Sequence, residues 1–245
     1  MEFLSKESIN SKELLKQINI FREMEYKEKE ANNTLTEAQK KRGRYTKLKH
    51  KTLLGIIRNE FNIQVNEQNI LPVENKIIPT SVNGIFETSY KDDKGELRPM
   101  FILTIDQAKQ VLLRESKIVR RKVIEYLNLL EKRIRQLERK KGITARKGET
   151  EAIKMLLEYG NIPKEKQHLY YMTYSKLPFV ALGMKRAERD KLPADDLEEI
   201  KELENIIEKT ILKGIVKKLD IKAIYQECKK ACINSLEDTE QKLIS

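Results

Sequence analysis

The segment from Ile85 to Glu131 constrains the fold more than any other part of the chain. Two short apolar runs, Ile85 to Tyr90 and Met100 to Leu103, flank Asp92, Asp93, Lys94 and Gly95. Carboxylates that bond to nearby backbone, followed by a glycine free to take positive φ, are turn chemistry. The flanking runs carry β-branched and aromatic residues, so the segment predicts a β-hairpin with a loop longer than two residues. Pro99 cannot donate to a ladder and belongs at a strand start or an edge. Beyond Thr104 the apolar period changes from strand to helix, with Asp106 placed to cap the start.

Upstream, Asn10 with Glu13 three positions on signals a helix N-terminus, followed by an apolar stripe of Leu14, Ile18 and Phe21. Residues 25–45 are polar; a short helix is expected from Thr36 to Arg42, stopped by Gly43. Residues 46–62 read as a second amphipathic helix, burying Leu53, Leu54, Ile57 and Phe61. Another face places Lys47, Lys51, Gly55 and Arg58 at i, i+4, i+8 and i+11. Such a face suits a major groove, and it suits plain solvation as well. Residues 63–84 form a polar connector in which Ile70 to Val73 and Lys76 to Ile78 are extended candidates.

Charge has a pattern. The formal net charge is +11, with 49 Lys and Arg against 38 Asp and Glu. Lys40, Lys41, Arg42, Arg44, Lys47, Lys49 and Lys51 crowd twelve positions that hold no acid, whereas Glu188 to Glu208 is acidic. Segregation of this kind exceeds what uniform solubilisation requires and points to nucleic acid or an anionic surface.

After Asp106 the chain is expected to be helical almost throughout. Val119, Val123, Leu130, Ile134 and Leu137 approach a heptad flanked by arginines; packing on the preceding domain and self-association are both open for it. KGITARKG, residues 141–148, is short, basic and holds two glycines, which marks it as the domain boundary. Glu149 to Tyr159 then forms a helix. Glu165 to Leu182 is rich in tyrosine and broken by Pro178, so two helices are expected there. Tyr170, Tyr174 and Phe179 are the candidates for a partner-binding cluster, with a small helical core as the competing role. Helices from Asp195 or Asp196 and from Asp220 complete the chain. Cys228 and Cys232, four apart, stack on one helical face as core residues.

Signatures of catalysis are missing from the residues. The chain has no P-loop, no dinucleotide glycine fingerprint, no His-Glu-x-x-His and no nucleophile elbow. His50 and His168 are its two histidines, and their spacing from the cysteines matches no zinc pattern. No enzymatic activity, metal or cofactor is expected. Neither a signal-peptide pattern after Met1 nor an apolar run of membrane length is evident, so a cytoplasmic protein without a membrane partner is expected.

Two stretches carry a family resemblance. F-x-x-S-Y-K-D-x-x-G-x-x-x-P-M-F-x-L-T from Phe86 continues into Q-A-K-Q-V-L-x-R-E-S-K-x-V-R-x-x-V-I-x-Y-x-x-x-L-E. Upstream stand I-N-S-x-E-L-L-x-Q-I-N-x-F-R-x-x-E and L-x-H-K-T-L-L-x-I-I-R-N-E-F. Together they resemble the Rha family of phage regulatory proteins, and residues 170–224 resemble, more loosely, a C-terminal domain of phage antirepressors. The connection at residues 25–45 is longer than the family's usual one. The resemblance implies a DNA-associated phage or prophage regulator in a bacterial host and brings no catalytic residues.

The expected architecture is mainly α with a small α+β N-terminal domain. Residues 1–105 form a winged helix-turn-helix-like DNA-binding domain with a β-hairpin. A long linking and oligomerisation helix spans 106–147, and an all-α partner or oligomerisation domain spans 148–245. Double-stranded DNA is the expected partner, contacted by Arg42, Arg44, Lys47, Lys51 and Arg58. Val123, Leu130, Ile134 and Leu137 are expected to make a homodimer or a higher homo-oligomer. The competing reading is an antirepressor that inactivates a phage repressor protein without touching DNA.

Overall fold

A computed structural model describes residues 5–63, 77–80, 84–185 and 187–244, without the side chains of 79 and 238–244. The expected strand at Ile70 to Val73, and Lys76 with it, lies outside the described residues. The fold is mainly α with one small antiparallel sheet. It divides into two compact units, Glu2–Lys132 and Arg133–Ser245.

The N-terminal unit opens with strand β1 (Ser8–Asn10) and helix α1 (Ser11–Ala31). Asn10 caps α1 as expected, its side chain accepting from the Glu13 N–H at 2.8 Å. Helix α2 (Glu37–Arg42) carries a full capping box between Thr36 and Gln39 and ends on Gly43 at φ 64°. Helix α3 (His50–Glu60) starts later than the sequence predicts. The cause is Asn19 of α1. Its side-chain amide donates to the Leu48 carbonyl at 3.0 Å, and its oxygen accepts the Leu48 N–H at 2.7 Å. Backbone bonded there is withheld from the helical ladder, so Lys47 precedes the helix and the helical spacing does not apply to it.

Strands β2 (Ile78–Pro79), β3 (Phe86–Lys91) and β4 (Leu97–Thr104) complete a sheet of order β1-β4-β3-β2, all antiparallel. The hairpin is β3–β4. Pro99 sits inside β4 opposite Ser89, yet β1 covers β4 only from Ile102 to Thr104, so the proline breaks no ladder on its far side. Helix α4 (Ile105–Val111) is capped by Thr104 with Gln107 in a reciprocal box; Asp106 falls in the first turn and is not the cap. A 3-10 turn, Leu112–Arg114, leads to helix α5 (Lys117–Tyr159).

The core of this unit gathers Leu14 and Ile18 of α1, Leu53, Leu54 and Ile57 of α3, Phe101 and Leu103 of β4, and Val119, Val123 and Leu127 of α5. Each fully buried aliphatic or aromatic side chain stabilises by roughly 1.5–3 kcal/mol relative to exposure.

The 43 residues of α5 are continuous, with Lys132 in one unit and Arg133 in the other. The expected linker at residues 141–148 is therefore helix. Helix α6 (Lys164–Ala181) likewise runs through Pro178, which lies in its last turn, so the helix continues for only three residues beyond it. Helices α7 (Ala194–Val216) and α8 (Ile221–Ile244) follow, and the Asp220 carboxylate accepts the Lys222 N–H at 3.0 Å before α8. The core of the C-terminal unit combines Ile153 and Leu156 of α5, Tyr174 and Leu177 of α6, Leu203, Ile207 and Ile211 of α7, and Ile224, Cys228 and Cys232 of α8. Burial pushes both thiols up to about 12, so they remain protonated packing groups. No helix among the described residues is long and apolar enough to cross a membrane.

Candidate nucleic-acid interface

Helix α3 presents two faces. Leu53, Leu54 and Ile57 point into the core, while Lys51, Thr52, Gly55 and Asn59 are exposed. Lys47 and Lys49 are exposed just before its first turn. None of these three lysines has a carboxylate partner among the described residues. An uncompensated row of ammonium groups at one end of a helix makes that end locally positive.

His50, the first residue of α3, fixes that helix against the hairpin. Its Nε2 lies 3.1 Å from the Ser11 hydroxyl and its Nδ1 3.4 Å from the Tyr90 hydroxyl. Ser11 is fully buried and already accepts the Phe101 N–H at 3.1 Å. Assigning the buried Ser11 proton to Nε2 gives it an acceptor and directs the Nδ1 proton to Tyr90. Burial, with Lys12 nearby, lowers the His50 pKa below the usual imidazole value. Lys12 itself lies 4.4 Å over the Tyr90 ring. A neutral imidazole thus joins α1, α3 and β3.

The hairpin tip is shaped by Asp92. One oxygen accepts the N–H groups of Lys94 and Glu96, each at 3.0 Å, and the other accepts from Arg98 Nε at 2.9 Å. The Arg98 bond is the main reason the Asp92 carboxyl titrates below its usual range. Gly95 takes φ 81°, as the turn requires. Arg98 also pairs with Glu96. Two of the acids at the tip are thereby engaged within the hairpin, and Lys94 is exposed.

The expected DNA-contacting residues are not one face. Lys47 and Lys51 belong to the surface of α3 just described. Arg58 does not project freely: its guanidinium lies 5.3 Å from the Phe101 ring centroid and 3.7 Å from a Glu87 carboxylate oxygen. It braces α3 against the sheet. Arg42 and Arg44 are exposed and line a separate cleft with Arg22 and Arg114. Sequence reasoning missed Arg22 and Arg114, since their meeting depends on contacts across more than 90 positions. The one local signal was a polar Asn19 and Arg22 beside the apolar stripe of α1.

The expected self-association seam is divided too. Val123 is fully buried in its own unit and Leu130 packs against that core. Ile134 is half-buried, and Leu137 is 51% exposed. The reason is that Val119, Val123 and Leu127 form the stripe by which α5 closes the N-terminal core. Of the expected partner-binding cluster, Tyr174 and Phe179 are buried within the C-terminal unit, and Tyr170 is half-buried. Tyr174 stacks edge-on to Tyr225 at 5.5 Å. Tyr174 belongs to the main core of the unit with Tyr170 packed against it, and Phe179 to a smaller cluster with Leu192, Leu197 and Ile200.

Comparison of the chain with protein-family models, with curated proteins and with solved structures gave no match.

Proposed function

We propose that the chain is a phage or prophage transcriptional regulator that binds double-stranded DNA through its N-terminal unit in the cytoplasm of a bacterial host. The observation that carries this reading is the uncompensated Lys47, Lys49 and Lys51 at the start of α3, beside a hairpin whose tip acids Asp92 and Glu96 are engaged by Arg98. Helices α1 and α3, with the short α2 between them in the chain, followed by the hairpin are read as a winged helix-turn-helix, with α3 as the helix that enters the major groove and β3–β4 as the wing. The resemblance to the Rha family points the same way. Lys47, Lys49 and Lys51 serve as phosphate contacts; Thr52 and Asn59 are the exposed polar groups of α3 that reach base edges.

The experiment is fluorescence anisotropy of a labelled duplex with the full chain at several salt concentrations. Wild-type affinity falls steeply with salt because bound cations are released from the phosphates. Lys47→Ala/Lys51→Ala lowers affinity and reduces the salt slope by about 2, one per lost phosphate contact. An unchanged affinity and slope in that variant removes this surface from the reading. A tight complex with a phage repressor, formed by a chain that ignores DNA, replaces it with the antirepressor reading.

Self-association is the second part of the proposal, and it rests on Leu137, which stays exposed on α5. A two-fold dimer would bind a pseudo-palindromic site with half-sites about 10 base pairs apart or multiples of that. Sedimentation of wild-type and Leu137→Asp chains checks it: a dimer converted to monomer supports the seam, and a wild-type monomer ends it.

A further inference from the structure

A polar cleft of about 200 Å³ opens in the N-terminal unit between α1, the segment after α2 and the approach to α5. Its wall is held by one ion pair. Arg22 donates from Nε and Nη2 to the two Glu115 oxygens, at 2.7 and 2.6 Å, and from Nη1 to the Thr46 carbonyl at 3.0 Å. The Glu115 side chain is only 5% exposed, so the pair is a fixed part of the fold. Glu25, the other acid of the lining, is neutralised by Lys29 at 3.0 Å and accepts the Ser116 hydroxyl at 2.9 Å.

Both carboxylates of the cleft are thus satisfied internally, while three of its guanidinium groups are not. Arg42, Arg44 and Arg114 are exposed, line the same cleft and have no acidic partner among the described residues. Arg42 is tethered by a hydrogen bond to the Thr46 hydroxyl, which holds its fork at the cleft. Tyr26 and Tyr45 add rings and hydroxyls to the lining.

Planar, permanently charged forks converging on one concavity match the oxygens of a phosphate better than any single-point anion. The volume lies below the ~300–1,000 Å³ of drug-sized pockets, which leaves room for a phosphate and part of the group that carries it. We propose that this cleft is a phosphate-binding site, with Arg42, Arg44 and Arg114 as the ligand-contacting residues and Arg22 as the residue that positions Arg42 through Thr46. A nucleoside monophosphate and the DNA backbone are the two sources of that phosphate. The inference does not rest on the DNA-binding role of Lys47 and Lys51, which do not line the cleft.

The test titrates the full chain with inorganic phosphate and a nucleoside 5′-monophosphate at constant ionic strength, and with a duplex of about 30 base pairs at several salt concentrations. The variants are Arg42→Gln/Arg114→Gln, which spares the Arg22–Glu115 pair, and Lys51→Ala as a control, with thermal melts to verify folding. Each lost charge-assisted bond to phosphate weakens binding by about tenfold or more. If the small ligand is the source, the mononucleotide binds the wild type and the Lys51→Ala chain equally and the double variant far more weakly. If the backbone is the source, the mononucleotide gives no signal and the double variant reduces the salt slope for the duplex by about 2. The proposal is overturned if a folded double variant binds all three probes as the wild type does, or if no probe binds the wild type. Duplex binding lost through Lys47 and Lys51 but kept in the arginine variant, with no mononucleotide or phosphate binding to the wild type, would sink the cleft and leave the DNA-binding reading standing; mononucleotide binding lost in the arginine variant, without duplex binding, would do the reverse.

Discussion

Arg58 illustrates how position decides what a cation does. By helical spacing it shares a face with Lys51 and Gly55, yet it lies over Phe101 and beside Glu87. Arg58→Met should therefore leave duplex affinity close to wild type and lower stability by about 0.5–1 kcal/mol, the scale of one cation–π contact plus a half-exposed ion pair. Urea denaturation and anisotropy on the same preparation check it; a lost affinity with intact stability would return Arg58 to the DNA surface. Ser11 is the more severe case. Its hydroxyl, fully buried, serves both Phe101 N–H and His50. Ser11→Ala leaves a buried amide without an acceptor, an expected cost of about 1–3 kcal/mol in the denaturation midpoint of the N-terminal unit. Neither role was legible in the chain. Leu14, Ile18, Leu53 and Ile57 announce themselves by period, because burial repeats every turn. The polar contacts Ser11–His50, Asn19–Leu48 and Arg22–Glu115 join residues 29 to 93 positions apart, and nothing in local spacing encodes a partner that distant.

At the scale of elements, α5 separates what pattern can decide from what it cannot. Gly142 and Gly148 in a basic stretch read as a linker, since glycine is the residue that most weakens a helix. One glycine costs only about 1 kcal/mol, though, and the Lys, Arg, Glu and Leu residues around these two are good helix formers. An added Cβ at Gly142 would meet nothing within 4 Å. Gly142→Ala should accordingly stabilise α5, by about 0.5–1 kcal/mol, whereas in a flexible linker it would be close to neutral. Gly214 of α7 should respond with the opposite sign. A Cβ there would come within 2.6 Å of the Ile224 side chain, and Ile224 is fully buried. Gly214→Ala should destabilise the packing of α7 on α8 by about 1–3 kcal/mol, the usual cost of overpacking. Thermal melts of the two variants decide both signs together. The hairpin, the capped α1 and the stripes of α7 and α8 were legible because their signals are local. The helical course through residues 141–148 was not, because it depends on Ala145, Glu149 and Ile153 finding buried places against other helices.

Across the whole molecule, the two units hold titratable groups shifted in ways that give opposite responses to pH. In the N-terminal unit His50 is held neutral, its pKa lowered by burial and by Lys12. Its contribution is complete above the unfolded imidazole value of about 6.5 and is lost as pH falls through the folded value. In the C-terminal unit Glu149 is fully buried, paired with Arg146, and one of its oxygens has no hydrogen-bond partner. Glu204 faces it across the same arginine, bonded to Arg189 at 2.5 Å and 3.8 Å from Arg146. Desolvation is the dominant cause, and it raises Glu149 to about 7 and moves Glu204 upward as well; the arginines oppose it and the second carboxylate reinforces it for Glu149. Cys228 and Cys232, close enough for Glu149 to act on them, stay protonated and add no charge. A raised acid stabilises the fold below its unfolded pKa and loses that contribution as pH rises through the folded one. Hydrogen exchange on the full chain, expressed as opening free energies at pH 5.5 and pH 8, should therefore show α1 and β4 better protected at the higher pH and α7 and α8 better protected at the lower. The shift of Glu149 from 4.5 to about 7 sets the C-terminal difference between these two pH values at about 2 kcal/mol. Glu149→Gln, which keeps the neutral shape and cannot ionise, should remove most of that slope and leave the N-terminal response untouched. If α7 and α8 instead become better protected toward pH 8, or the glutamine variant keeps the full slope, then the carboxylates of this cluster are ionised and satisfied in the fold, and Arg146 and Arg189 outweigh the burial.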